Sequence, residues 1–88
     1  MKNINDLKRT GMDLKPAMLV GKSGITEGIE NEIDSQLERT ELIKVKFLRS
    51  AGPSSSWKDD IEALIGRIGA KLIEIKGGTV LIYRPKRR

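Results

Sequence analysis

A short apolar run, Ala17-Met18-Leu19-Val20, passes directly into Gly21-Lys22-Ser23-Gly24, and a helical pattern begins within two residues of the second glycine. Thr26 is a good helix N-cap, and Glu27 and Glu30 stand in the first turn, where the helix dipole favours carboxylates. Ile29, Ile33 and Leu37 recur every four residues and define one buried stripe, so a helix is predicted to about Arg39. Residues 42–48 then alternate: Ile43, Val45 and Phe47 share one face, Lys44 and Lys46 the other. A strand, a helix and a strand in this order form a crossover, which joins parallel strands and is right-handed almost without exception.

The remaining segments extend that frame. Residues 3–10 read as a short helix with Ile4 and Leu7 on one face and Gly11 as its stop. Residues 49–56, Arg-Ser-Ala-Gly-Pro-Ser-Ser-Ser, read as a loop, with Ser56 and Asp59 resembling a helix-capping pair. Trp57, Ile61, Leu64, Ile65 and Ile68 form an apolar helical face ended by Gly69. Residues 71–76 alternate again, Ile73 and Ile75 opposing Leu72, Glu74 and Lys76. Gly77-Gly78 is a two-residue hairpin signal before a last strand, residues 79–84. The order α-β-α-β-α-β-β predicts an α/β two-layer sandwich. Its four-stranded mixed sheet has helices mainly on one face, with the Lys44 and Lys46 face left uncovered. The chain reads as one domain, residues 1–88, with a short basic tail at 85–88.

Composition narrows the chemistry. With no cysteine and no histidine, thiolate metal sites are excluded and the commonest general base is missing. No carboxylate pair is placed by a motif, so no enzyme activity, no cofactor, no metal and no small-molecule substrate are expected. There is no long apolar run and no apolar region at the start, so neither a membrane span nor a secretory signal is expected; a cytoplasmic monomer fits. The net charge of +5 is uneven. Residues 1–25 carry five basic and two acidic side chains, residues 26–41 one basic and six acidic, and residues 42–88 eleven basic and four acidic. One acidic helix thus sits in a basic frame, and a basic surface attracts phosphate polymers.

Gly21, Lys22, Ser23 and Gly24 are the leading candidates for such contact. Glycines admit a close backbone approach, amides at a helix start face outward toward an anion, and Lys22 adds a mobile charge. Such a loop grips a sugar-phosphate backbone without reading bases. Glu27 and Glu30 oppose phosphate on the helix side, so nucleic acid is expected to pass over the loop and away from them. The loop lacks the full Gly-x-x-x-x-Gly-Lys-Ser/Thr spacing of a nucleotide-binding loop. A second Gly-x-x-Gly, residues 66–69, falls in a helix, where Gly69 reads as a cap and Gly66 as a close-packing position.

Three stretches, taken together, carry a family resemblance: residues 14–28 (Leu-Lys-Pro-Ala-Met-Leu-Val-Gly-Lys-Ser-Gly-Ile-Thr-Glu-Gly), residues 41–46 (Glu-Leu-Ile-Lys-Val-Lys) and residues 68–85 (Ile-Gly-Ala-Lys-Leu-Ile-Glu-Ile-Lys-Gly-Gly-Thr-Val-Leu-Ile-Tyr-Arg-Pro). In this order they resemble the CRM domain, the chloroplast RNA splicing and ribosome maturation family, in its stand-alone prokaryotic form. The resemblance implies a fold similar to the C-terminal domain of bacterial translation initiation factor three. It also implies RNA binding and association with ribosomal RNA or precursors of the large ribosomal subunit. It further implies an RNA contact, akin to that of KH domains, at Gly21, Lys22, Ser23 and Gly24. The chain departs from many relatives at residues 52–56, and no RNA contact is carried onto that loop.

Further basic candidates are Lys15, Lys44, Lys46, Arg84, Lys86, Arg87 and Arg88; the last four account for four of the five net charges. Lys8, Arg9 and Lys15 are expected to border the glycine loop. Phe47 has core parity and Trp57 opens an apolar stripe, so few aromatics remain for stacking and backbone recognition is expected over base reading. The competing reading is a protein-interaction adaptor that docks through the acidic helix, residues 26–41.

Overall fold

Asn3 opens the first helix by accepting the Asp6 N–H on its side-chain oxygen at 2.8 Å. The computed structural model describes residues 3–85. The chain runs α1 (Ile4–Asp13), β1 (Met18–Val20), α2 (Glu27–Thr40), β2 (Leu42–Phe47), a 3-10 turn (Arg49–Ala51), α3 (Ser54–Ile68), β3 (Lys71–Lys76) and β4 (Thr79–Tyr83). No described helix is long and apolar enough to cross a membrane.

The strands form one mixed sheet in the order β1-β2-β4-β3. β1 and β2 are parallel, as the intervening helix requires, and β4 runs antiparallel to both β2 and β3. The β3–β4 hairpin therefore inserts its second strand beside β2. Its turn has positive φ at Gly77 (60°) and not at Gly78, the pattern of a type II′ turn, whose twist suits a hairpin. The Phe47 N–H donates to the Gly78 carbonyl at 2.6 Å, so the turn lies against the end of β2.

Alternation along β2 sends Ile43, Val45 and Phe47 into the layer between sheet and helices. There they meet Val80 and Ile82 of β4, Ile33 and Leu37 of α2, and Trp57, Ile61, Leu64 and Ile65 of α3. Each such side chain contributes roughly 1.5–3 kcal/mol on full burial. Phe47 and Trp57 stack with ring centroids 4.3 Å apart and planes 6° from parallel.

Several local expectations change. Gly11 does not end α1: the helix runs through it to Asp13, and Leu14 caps it by donating to the Gly11 carbonyl. Leu7 and Gly11, four residues apart, form the buried stripe, and Ile4 is exposed. α1 lies on the sheet face opposite α2 and α3, with Gly11 set against Leu81, so the Lys44 face carries a helix too. The cap of α3 is Pro53, not Ser56: Ser56 lies inside the helix and its hydroxyl donates to the Pro53 carbonyl at 2.9 Å. Gly66 is exposed with open space around it, and no close packing explains it. The strict alternation of β3 is broken by a bulge, since Leu72 pairs with Ile82 and Glu74 with Leu81. The extra residue, Ile73, lets Leu72 and Ile75 both pack on the core.

Candidate nucleic-acid interface

β1 and β2 run parallel, so the loops after them emerge at the same edge of the sheet. This is the edge where parallel α/β units offer backbone groups to ligands. Val20 is buried and Ile25 packs on the core, so the 21–24 turn is held at both ends. Its Gly24 N–H donates to the Gly21 carbonyl at 2.8 Å, leaving Lys22 and Ser23 exposed at its tip. Gly24 has φ of 65° and open space around it; Gly21 has the neighbouring loop against it, since a Cβ there would come 3.3 Å from the Ser50 hydroxyl. One loop donor is thus turned inward. The N–H groups of Lys22 and Ser23 meet no protein acceptor among the described residues.

At the start of α2 the Thr26 cap takes up one of the first-turn amides. Thr26 accepts the Ile29 N–H on its hydroxyl at 3.2 Å and the Glu30 N–H on its carbonyl at 2.9 Å. The N–H groups of Glu27 and Gly28, in the first turn, meet no protein acceptor among the described residues and follow the turn's own donors along the chain. Glu30 is directed to Arg67, 2.7 Å away. The Arg67 hydrogen bond holds the Glu30 carboxyl below the usual carboxylate range, against the opposing effects of desolvation and of Asp34. Glu30 also holds the Arg67 guanidinium above its ordinary value.

Arg84 is not the free cation its place near the basic tail suggests. Its guanidinium donates to Asp34 Oδ1 at 2.6 Å, the Asp34 carbonyl at 3.0 Å, the Ile68 carbonyl at 3.0 Å and Glu38 Oε1 at 3.1 Å. Its side chain is only 13% exposed. It ties the end of β4 to α2 and α3, with both terminal nitrogens committed inside the fold. Glu30, Asp34 and Glu38 lie at successive turns of α2, so three carboxylates of the acidic helix are paired internally, which weakens the adaptor reading. Lys86, Arg87 and Arg88 lie outside the described residues.

The other cations divide between two places. Lys15 precedes Ala17, whose N–H donates to the Lys44 carbonyl; Lys15 is therefore at the starting end of β1, away from the glycine turn. Lys8 and Arg9 do not border that turn either. With Lys44 and Lys76 they line a groove of about 630 Å³ between α1 and the sheet. Lys46 is exposed on the same sheet face, beside Leu19 and Thr79. Two further cations are marked by no local motif: Arg49, exposed in the loop whose Ser50 lies beside Gly21, and Lys76, brought into the groove by the hairpin. The parallel β1–β2 pairing was the available signal for Arg49. Phe47, Trp57 and Tyr83, the chain's three aromatics, are all buried, so none offers a face for base stacking.

Residues 1–84 match the CRS1 / YhbY (CRM) domain. A Pseudomonas aeruginosa protein named as a probable RNA-binding protein is 35% identical over 81 residues, 88% of this chain and 72% of that one. A Haemophilus influenzae protein named as an RNA-binding protein is 35% identical over 80 residues, 90% of this chain and 78% of that one. The solution structure of a Staphylococcus aureus protein, described as "a putative RNA binding protein", superposes with a TM-score of 0.79 at 28% identity, over 97% of this chain and 86% of that one.

Proposed function

The chain belongs to the CRS1 / YhbY (CRM) domain family, and we propose that it binds RNA by the sugar-phosphate backbone in the assembly of the large ribosomal subunit. The observation that carries the reading is the exposed 21–24 turn, with two amides lacking a protein acceptor among the described residues and Lys22 at its tip. Main-chain donors and an ammonium recognise phosphate without regard to base. The burial of every aromatic side chain supports the same mode, because single-strand base readers present aromatic platforms. The names of the relatives, RNA-binding proteins, support RNA as the ligand. The reading takes the chain as one cytoplasmic, monomeric RNA-binding domain with no cofactor.

The assembly role rests on the family and is tested in cells. The chain is crosslinked to RNA in its host and the attached RNA is sequenced. Large-subunit ribosomal RNA is expected to dominate. A scatter of messenger RNAs, with ribosomal RNA at background, overturns the assembly role.

A further inference from the structure

The groove between α1 and the sheet gathers cations that are far apart in sequence. Lys8 and Arg9 come from α1, Lys44 from β2 and Lys76 from β3. None of the four is ion-paired with a carboxylate among the described residues. Glu74 is the single carboxylate in the lining. Four neighbouring cations with one anion repel one another, and a polyanion relieves that repulsion.

Strand pairing connects the groove to the glycine turn. Leu19 pairs with Lys46, Lys46 with Thr79 and Thr79 with Lys76, so these four side chains form one row across the sheet. Lys44 lies two residues from Lys46 along β2, ~7 Å away, and Lys76 lies two strand spacings from Lys46, ~10 Å away. The row's β1 end, Leu19, is two residues before Gly21. Lys46 therefore stands between the groove and the strand end that leads into the glycine turn. Met12 at the groove (76% exposed) and Leu19 on the row (57% exposed) add apolar surface among the cations, suited to ribose and base edges.

We propose that this groove is a second phosphate-binding site, so that a single RNA strand bound at the 21–24 turn continues across Lys46 into the groove. The proposal rests on the RNA-binding reading above and gives that RNA a path. It names Lys8, Arg9 and Lys76 as contacts beside Lys44 and Lys46.

The test uses a fluorescently labelled, mixed-sequence single-stranded RNA and measures affinity over a salt series. Three proteins are compared: the native chain, Lys22→Glu, and the triple variant Lys8→Gln/Lys44→Gln/Lys76→Gln. Each single-strand phosphate contact contributes about 0.7 to the slope of log K against log salt. The triple variant is expected to lose about 2 from that slope and roughly tenfold or more in affinity at low salt. Lys76→Gln alone, on an exposed strand position, is expected to lose about 0.7 and carries the test if the triple variant does not fold. A triple variant with native slope and affinity, beside a weakened Lys22→Glu, overturns the groove and leaves the RNA-binding reading standing; the groove then answers to another polyanion, such as an acidic protein segment. A native chain with no salt-dependent RNA binding removes the functional reading and the groove with it.

Discussion

Gly11 in α1 and Leu81 in β4 are in direct van der Waals register: a Cβ on Gly11 would lie 2.8 Å from one methyl carbon of Leu81 and closer still to the other. The missing side chain lets the helix backbone settle on the sheet. It sets the depth of the groove beside it, where Lys8 and Arg9 of α1 face Lys44 and Lys76.

Gly11→Val is therefore expected to destabilise the protein by about 2 kcal/mol, the ordinary cost of overpacking a filled interior. Denaturant unfolding measures the loss, and amide exchange is expected to show faster opening of α1 than of α2 or α3. Unchanged stability, with α1 protected as before, contradicts the contact.

The two hairpin glycines should differ in what they tolerate. A Cβ on Gly78 would stand 2.6 Å from the Phe47 carbonyl oxygen, a backbone atom that cannot rotate aside, whereas Gly77 has open space and only a positive φ of 60°. Gly78→Ala is expected to cost about 2–3 kcal/mol. Gly77→Asn is expected to cost less, about 1 kcal/mol, the strain of a positive φ that Asn tolerates better than most residues. Thermal unfolding ranks the two, and the reverse order would be inconsistent with the turn described.

Arg84→Ala separates stability from binding. It removes four donated hydrogen bonds, two of them to carboxylates that are 49% and 65% exposed. Solvent screening discounts those, so the expected loss is about 1–2 kcal/mol. RNA affinity, measured well below the unfolding temperature, is expected to stay within about twofold of native, because screened surface changes away from the contact are small. A large affinity loss without destabilisation would return Arg84 to the RNA-contacting set.

Glu30 supplies a pH test. Its folded-state carboxyl lies below the ordinary value because Arg67 donates to it. Its contribution to stability is therefore present above the unfolded-state value and is lost as pH falls through the lower folded-state one. The pair is exposed, so the effect on stability is small. Carbon-detected NMR titration is expected to find Glu30 titrating at lower pH than in Arg67→Ala. Identical midpoints would exclude the pair in solution.

Much of the frame was legible in the sequence because local periodicity and burial agree. The spacing of Ile29, Ile33 and Leu37, the Thr26 cap, the alternation of β2 and the Gly77-Gly78 turn each appear as read. What was not legible depends on partners distant in the chain. Gly11 reads as a stop until Leu81 is placed beneath it. Ile73 is a bulge only because Glu74 pairs with Leu81. Arg84 reads as part of a basic tail until Asp34 and Glu38, 50 and 46 residues away, take its donors. The candidate site divides in the same way: the glycine turn is a local motif, whereas the α1 groove exists only once helix and hairpin have met across the sheet.

The most direct measurement is RNA affinity across a salt series for the native chain and for Lys22→Glu, with unfolding curves for both. Lys22 is exposed and makes no side-chain hydrogen bond or ion pair among the described residues, so stability should agree within about 0.5 kcal/mol. Binding of the native chain should fall linearly in log K against log salt, and the charge reversal should weaken it at every salt concentration. Equal affinity of the two proteins, or binding indifferent to salt, would contradict a phosphate grip at the glycine turn.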